Sequence, residues 1–526
     1  MTIEIYDTTL RDGTQQEGIS LTARDKLRIC RLLDGLGVAY IEGGWPGANP
    51  KDDEFFARAR DELDLQTATL VAFGATRRAG RHATDDEQIN ALLAASTDAV
   101  CLVGKAWDYH VEEALRTSLD EGIAMVADSI AFLRSKGRRV FFDAEHFFDG
   151  YRSNPEFAIA VLSGALDAGA ERLVLCDTNG GFLTPEVEAT IGAVTEALPD
   201  ATYGCHFHND SGMAVGNSLA AVRLGVAQVQ GCVNGYGERT GNADLCSVIP
   251  NLSVKMGYAT IPVDRLPRLT TVSHHIAEVV NLTLDPHLPY VGSSAFTHKA
   301  GLHTSALARK SDAYEHLPPT TVGNATRVVV SELAGRSTVV AKAQSQGLDL
   351  TPGEAGSVVD IIKELEHVGY QFEAADGSFE LLLREAQGWI QPFFELESYR
   401  VFVEHREGDV TAEATVKIHV DNERMVSTRE GDGPVSALDN ALRAALGAAY
   451  PDLERIRLTD YRVRDLDSSD GTSARVRVLC EHSDGDSAWG TIGVHQNIID
   501  ASWKAVAEGI VLGLLRLSER DETAIA

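Results

Sequence analysis

The chain has 526 residues, which is too long for one compact core and indicates roughly two to four domains. Its hydrophobic content of 44% and charged content of 24% are typical of a globular protein, and no uninterrupted apolar run is long enough to span a bilayer. The formal net charge of -30 disfavours nucleic acid as a partner, because so acidic a surface repels phosphate backbones.

The cysteine pattern and the N-terminus bear on the compartment. The seven cysteines are scattered and form no Cys-x-x-Cys pair, which predicts a reduced, cytoplasmic setting. The first residues lack a basic region followed by an apolar stretch, so we expect no secretory signal.

An anionic substrate would need a local basic pocket in this acidic protein. Five basic residues at predicted strand ends could form one: Arg11, Arg77, Arg78, Lys105 and Arg239.

The first half of the chain alternates β-rich apolar runs with segments of helical period. Eight strands are predicted: Ile3–Tyr6, Ala39–Glu42, Ala68–Phe73, Ala99–Val103, Val140–Ala144, Leu173–Cys176, Tyr203–Phe207 and Val229–Val233. The predicted helices between them include Ala23–Leu36, Glu112–Ser135, Pro155–Ala168 and Pro185–Ala197. Their number and even spacing indicate an α/β fold, a (β/α)8 TIM barrel. A doubly wound open sheet is less favoured, because the first strand lacks a Gly-x-Gly-x-x-Gly turn.

The rest of the chain changes character twice. Residues 351–390 predict one or two amphipathic helices. From about residue 395, two successive segments each predict three strands and then a helix, which indicates a duplicated β-β-β-α unit without an evident catalytic set. We therefore predict a catalytic barrel in residues 1–260, helical linker subdomains in 261–394 and an α+β domain in 395–526.

The strongest local signal for chemistry is His206-Phe207-His208 on the seventh predicted strand. Residues i and i+2 of a strand point to one face, so both imidazoles face the same way and suit a divalent metal. A His-x-His pair alone is more often ordinary strand-end polarity. This pair lies at the carboxyl end of a barrel strand, where barrel enzymes hold their chemistry, and that position favours the metal site.

Two other predicted strands end in suitable partners, since strand one runs into Asp12 and strand eight into Asn242. Strands one, seven and eight become neighbours when a barrel closes. Four side chains can then converge on one ion: Asp12, His206, His208 and Asn242. Mixed oxygen and imidazole ligands fit Mg²⁺, Mn²⁺ or Zn²⁺, and the sequence does not choose among them.

Three motifs together resemble a known family. They are Asp-Thr-Thr-Leu-Arg-Asp-Gly at residues 7–13, His-x-His-Asn-Asp at 206–210 and Gly-x-Gly-Glu-Arg-Thr-Gly-Asn at 235–242. In this order and at barrel spacing they resemble the 2-isopropylmalate, homocitrate and citramalate synthases. The resemblance covers nearly the whole chain, and the repeated C-terminal region resembles the regulatory domain of that family.

The resemblance implies an enzyme that condenses acetyl-CoA with a 2-oxo acid and then hydrolyses the thioester. The 2-oxo acid can chelate the metal ion, which acts as a Lewis acid on the keto group. Arg11, beside the ligand Asp12, would bind substrate and stabilise the developing oxyanion. Glu145 matches an active-site glutamate of the family and Thr178 would hydrogen-bond the substrate carboxylate, although either could be ordinary strand-end polarity.

Acetyl-CoA must lose a methyl proton, so a base is required, and the barrel sequence offers no obvious spare one. The resemblance implies that His303 and Tyr314, beyond the barrel, serve this step in the neighbouring subunit's site. A homodimer would then be needed for activity. The alternative is that both are packing residues of a linker subdomain.

Two segments, residues 12–15 and 42–52, most resemble family members whose acceptor is pyruvate. The alternative acceptor is 2-oxoisovalerate. It differs from pyruvate by only a few methylene-sized groups, and a binding pocket discriminates between such acceptors by only a modest difference in binding energy. 2-Oxoglutarate is less favoured, since no cation can be assigned to its second carboxylate.

Functions of other classes are less favoured. A metabolite sensor with an inactive barrel would not need the intact set of metal ligands, and the acyl-CoA lyases of the same superfamily are shorter chains without a regulatory domain. The resemblance implies feedback control, with isoleucine as the expected effector of residues 395–526, and with leucine if the acceptor is 2-oxoisovalerate.

Overall fold

The structure, a computed structural model, describes residues 2–298, 314–328, 336–372, 375–406, 409–466 and 474–525. The chain divides into two compact units, Met1–Phe296 with Leu317–Thr326 and Thr297–His316 with Arg327–Ala526. The three-part division with boundaries near residues 260 and 395 stays a prediction.

The first unit contains a closed barrel of eight parallel strands in sequence order. The strands are β1 (Glu4–Asp7), β2 (Tyr40–Gly44), β3 (Thr69–Ala75), β4 (Ala99–Lys105), β5 (Arg139–Glu145), β6 (Arg172–Asp177), β7 (Tyr203–Phe207) and β8 (Gln228–Gly231). β1 pairs with both β2 and β8, which closes the barrel and confirms the predicted fold class. The predicted strands all overlap observed ones, although β8 ends two residues before the predicted Val233.

Helices surround the barrel. They are α1 (Ala23–Leu36), α2 (Pro50–Glu62), α3 (Glu87–Ala94), α4 (Leu119–Ser135), α5 (Phe147–Ser153), α6 (Pro155–Asp167), α7 (Thr184–Ala197), α8 (Ala214–Arg223), α9 (Leu245–Pro250) and α10 (Leu269–Val280). Local sequence starts several of them: Asn49 and Asn154 cap α2 and α6, and each is followed by a proline. Proline suits the first helical position because its missing N–H would have no partner there.

One predicted helix, Glu112–Ser135, is wrong at its start. The chain makes a π-helical turn at His110–Ala114, and α4 begins only at Leu119. Arg116 has a φ of 55°, which a continuous right-handed helix does not accommodate. The Ser118 side chain then caps α4 by accepting the N–H of Glu121.

The second unit contains helices of 10 to 28 residues, two antiparallel sheets and one short parallel pair of strands. Within the described residues its helices are α11 (Arg336–Ser345), α12 (Pro352–His367), α13 (Asp376–Ala386), α14 (Pro434–Leu446) and α15 (Ile498–Ile525). Its strands are β9 (Thr297–His298), β10 (Arg327–Val328), β11 (Glu395–Arg406), β12 (Asp409–Val420), β13 (Glu423–Gly431), β14 (Arg457–Asp465), β15 (Val476–Ser483) and β16 (Ala488–His495). β11–β13 precede α14 and β14–β16 precede α15, so the predicted duplication of a β-β-β-α unit is confirmed.

Helix α13 covers the free edge of the second sheet. The N–H groups of Gly490 and Ile492 on β16 donate to Asp376 Oδ1 and Ser378 Oγ, each at 2.9 Å. An edge strand otherwise leaves such groups unpaired. Helix α13 is therefore held to the C-terminal sheet by hydrogen bonds from strand N–H groups to its side chains as well as by apolar packing. Among the described residues, no helix is long and apolar enough to cross a membrane.

Candidate active site

A cavity of about 570 Å³ opens at the carboxyl ends of the barrel strands. The functional side chains that line it are Arg11, Asp12, Lys105, Glu145, Thr178, His206 and His208. They follow or end strands β1, β4, β5, β6 and β7, so barrel closure collects side chains that are up to about 200 positions apart in sequence.

Three of the predicted metal ligands lie together in this cavity. Asp12 Oδ2 is 3.2 Å from His206 Nε2 and 3.8 Å from His208 Nε2, and all three side chains are buried. One ligand atom from each lies within 4.8 Å of the others. A carboxylate and two imidazoles at this spacing fit a divalent ion.

Asn242 is brought beside this group by the loop after β8. Its backbone pairs with His208 in an isolated antiparallel bridge. Its buried amide oxygen has no hydrogen-bond partner among the described residues, as expected of an atom reserved for a ligand. Gly241 makes this loop possible, because a Cβ there would lie 1.9 Å from the carbonyl oxygen of Gly235 and its φ is +87°.

The charges of the cluster support one another. Burial alone would raise the pKa of Asp12, but the Arg11 guanidinium and the hydrogen bond from His206 hold that pKa well below its usual range. Burial opposes charge on His206 as well, yet the hydrogen bond and charge of Asp12 raise its pKa. Burial, together with the neighbouring His206, lowers the pKa of His208 to about 3. Asp12 is thus ionised and His208 neutral, and these are the forms in which a carboxylate and an imidazole bind metal.

Arg11 is held in the cavity wall by an acidic partner that the sequence did not reveal. Its Nε donates to Glu42 Oε1 at 2.5 Å, and Nη1 lies 3.4 Å from Asp12 Oδ2. Its guanidinium stacks 3.8 Å from the ring centroid of Phe73. Tyr6 donates to the second oxygen of Glu42 at 2.7 Å. Arg11 therefore lines the cavity and also forms a salt bridge with the buried Glu42.

Glu145 and Thr178 also line the cavity, each with a protein partner. Glu145 forms an ion pair with Lys105. Thr178 Oγ1 accepts the backbone N–H of His146 at 2.9 Å. Because that oxygen is already an acceptor, its own hydroxyl proton can be donated to a ligand.

Four of the five expected basic residues line the cavity: Arg11, Arg77, Arg78 and Lys105. Arg239 instead pairs with Asp210 and donates to the carbonyl oxygen of Thr178 at 2.7 Å. Its expected place in the basic pocket is therefore wrong, because the loop after β8 turns the side chain towards Asp210.

Sequence reasoning missed the buried polar side chains that lie behind the cluster. Glu42, Asp143 and Gln230 sit inside strands β2, β5 and β8 and are at most 3% exposed. The available signal was a charged or amide residue within an otherwise apolar strand, which is costly to bury unless it is paired. It does not by itself identify the partner.

The two predicted residues beyond the barrel have different outcomes. His303 lies outside the described residues. Tyr314 belongs to the second unit, where its side chain is 48% exposed. Their predicted roles stay predictions.

Family models match the chain in three consecutive parts. The model described as HMGL-like matches residues 2–275, and the model described as homocitrate synthase post-HMGL domain-like matches residues 290–369. The model described as the LeuA allosteric (dimerisation) domain matches residues 373–513.

Curated relatives are similar over almost the whole chain. The chain is 53% identical to the (R)-citramalate synthase of Streptomyces coelicolor, over 97% of this chain and 96% of the relative. It is 51% identical to the (R)-citramalate synthase of a Synechocystis species, over 98% and 96% of the two chains. It is 48% identical to the (R)-citramalate synthase of Aquifex aeolicus, over 98% of both chains.

Proposed function

The chain belongs to the family of (R)-citramalate synthases, and from this premise we propose that it condenses acetyl-CoA with pyruvate and water to give citramalate and CoA. A carbon–carbon bond forms between the acetyl methyl carbon and the keto carbon, and hydrolysis of the thioester releases CoA. The observation that carries the proposal is the cluster of Asp12, His206 and His208 inside the cavity of a chain with such relatives.

We propose that Asp12, His206, His208 and Asn242 hold a divalent ion, with Mg²⁺ or Mn²⁺ preferred and Zn²⁺ as the alternative. When bound, the ion supplies Lewis acidity to the keto group of the acceptor. The chain contributes an ionised carboxylate, two imidazoles and an amide oxygen with no other partner among the described residues. That donor set supports a metal with open positions for a chelating substrate.

Arg11 stabilises negative charge that develops on the keto oxygen during attack. Its ion pair with Glu42 and its stacking on Phe73 hold the guanidinium in place before substrate arrives, so little reorganisation is needed. The Thr178 hydroxyl donates a hydrogen bond to the pyruvate carboxylate, while its oxygen accepts the hydrogen bond from the backbone N–H of His146.

Removal of the acetyl methyl proton requires a base. We propose that His303, with Tyr314, serves this step from the neighbouring subunit of a homodimer, while Glu145 lines the cavity as a further catalytic residue. The support is the family resemblance, which places His303 and Tyr314 in the partner's site. A barrel-site variant (Asp12→Ala) and His303→Ala should each be inactive alone, and mixed dimers should regain part of the activity. Mixed dimers that form but stay inactive would contradict action across the interface.

The acceptor is tested by measuring free CoA released from acetyl-CoA with pyruvate, 2-oxoisovalerate, 2-oxoglutarate or no acceptor. Release with pyruvate alone, and citramalate as the product detected by NMR, is expected. Release only with 2-oxoisovalerate would instead identify a 2-isopropylmalate synthase. CoA release without any acceptor would indicate a simple thioesterase.

We also propose that isoleucine inhibits the enzyme through residues 395–526, as expected for an enzyme that feeds isoleucine biosynthesis. The match of residues 373–513 to an allosteric dimerisation domain supports this. Removing residues from about 395 should retain turnover and abolish inhibition. Inhibition that survives the truncation would place the effector site elsewhere, and leucine as the only inhibitor would favour 2-oxoisovalerate as the acceptor.

The cytoplasmic location stays a prediction, supported by seven free, buried cysteines.

A further inference from the structure

A hydrogen-bonded chain runs from the metal ligand His206 across the barrel interior. His206 Nδ1 lies 3.0 Å from Gln230 Oε1, and Gln230 Nε2 donates to Asp143 Oδ1 at 2.9 Å. The three side chains are at most 5% exposed. His206 and Gln230 are paired residues of neighbouring strands, whereas Asp143 comes from β5, which is not adjacent to β8.

The orientation of the Gln230 amide determines which nitrogen of His206 carries a proton. A carboxamide has one accepting end and one donating end. Because its NH2 group is used by the Asp143 carboxylate, its oxygen faces His206. That oxygen can only accept, so Nδ1 of the imidazole must carry the proton. Nε2, which lies 3.2 Å from Asp12, is then the nitrogen that can bind a metal ion, in place of its hydrogen bond to that carboxylate.

Asp143 is itself anchored. Its carboxylate also accepts a hydrogen bond from the Cys101 thiol, so it has little freedom to release the Gln230 amide. The second imidazole ligand differs: the buried Nδ1 of His208 has no hydrogen-bond partner among the described residues. Within the part of the chain that the structure describes, a dedicated pair of side chains therefore orients His206, and His208 has no such pair.

We propose that Gln230 and Asp143 are positioning residues that fix the Nδ1–H tautomer of His206 and so raise the affinity of the cluster for a divalent ion. Neither side chain needs to touch the ion. The inference rests on the metal role proposed for Asp12, His206 and His208. Removal of a group that orients a histidine ligand typically weakens metal binding about 10- to 100-fold.

The first experiment compares two glutamines of β8. Gln230→Met keeps the side-chain length and removes the acceptor for His206. Gln228→Met is the matched control, since Gln228 is equally buried but bonds Glu4 at the other end of the barrel. Binding of Mn²⁺ alone, followed by electron paramagnetic resonance, should weaken about tenfold or more in the first variant and by less than about twofold in the control. Equal weakening in both would overturn the proposal.

The second experiment reverses the amide. Asp143→Asn leaves one accepting oxygen for two donors, the Cys101 thiol and the Gln230 amide. When the thiol takes that oxygen, the introduced NH2 group faces Gln230, which should rotate and offer its own NH2 group to His206, so that the wrong tautomer is favoured. Mn²⁺ binding should weaken about tenfold. Adding Gln230→Glu should restore it, because the introduced carboxylate accepts from both neighbours. A double variant that binds no better than Asp143→Asn alone would contradict the tautomer mechanism.

A measurement on the unaltered protein is independent of variant folding. In ¹⁵N-histidine-labelled enzyme, the His206 signals, identified by their loss in His206→Gln, should show a protonated Nδ1 both without metal and with Mg²⁺. A His206 with its proton only on Nε2 would overturn the inference. These metal-binding and NMR measurements contain neither substrate, so they do not depend on catalysis. An enzyme that binds metal normally but does not make citramalate would refute the proposed function and leave the positioning role of Gln230 and Asp143 intact.

Discussion

The buried pair of Arg11 and Glu42 makes a quantitative prediction. Glu42→Gln keeps the shape of the side chain and removes its charge. The carboxylate accepts from Arg11 Nε at 2.5 Å and from Tyr6 at 2.7 Å, and it is fully buried. An amide has a single oxygen, so one donor would face the NH2 group and lose its partner.

The expected loss in free energy of unfolding follows from the burial of the ion pair. Removing one partner of a buried ion pair typically destabilises a protein by about 3–5 kcal/mol, because the remaining charge is uncompensated. At roughly 2–4 °C per kcal/mol for a domain of this size, the unfolding midpoint should fall on the order of 10 °C. Arg11 would also be less well held, so kcat should fall while metal stays bound.

The matched control is Glu4→Gln. Glu4 pairs with Arg172 at 2.9 Å, but both side chains are about one-fifth exposed, and Glu4 begins β1, at the end of the barrel away from the cavity. A pair of this exposure contributes about 0–1 kcal/mol, so the midpoint should fall by only a few degrees and kcat should not change. Differential scanning calorimetry and the CoA-release assay measure both. A Glu42→Gln variant that melts and turns over like the control would refute the reasoning.

Four further predictions concern other parts of the chain. His208→Ala should lose bound metal and activity together, measured by metal analysis and CoA release; retention of both would mean that the ligand assignment is wrong. Arg11→Lys keeps the positive charge but loses the planar guanidinium fork, so kcat should fall at least about tenfold while metal stays bound. A normal kcat in this variant would mean that Arg11 has only a structural role. Gly241→Ala should displace Asn242 by its clash with the backbone and weaken Mn²⁺ binding, and unchanged binding would argue against that ligand. Burial raises the pKa of Glu508 to about 7. Since an unfolded glutamate titrates near roughly 4.3, the folded state binds the extra proton and stability should fall as pH rises between these values. Glu508→Gln should flatten that fall in thermal midpoint, and an unchanged slope would contradict the assignment.

The sequence by itself determined the order of the barrel strands and most of the candidate metal site. Hydrophobic runs at even spacing identify strands because each buries its side chains on both faces of a parallel sheet. His206 and His208 share a face through the two-residue period of a strand, and Asp12 follows the end of β1. These relations are local, so they can be read before the chain is folded.

Only the tertiary structure decided how the buried polar groups pair. Glu42 meets Arg11, and Asp143 meets Gln230, across 31 and 87 positions of sequence. No periodicity relates such residues, since their contact depends on which strands face each other once the barrel closes. The same holds for Arg239, whose place at a strand end indicated the cavity but whose side chain pairs with Asp210. The local sequence pattern predicts which face of a strand a side chain lies on. Which residue it then contacts on that face depends on how the barrel closes.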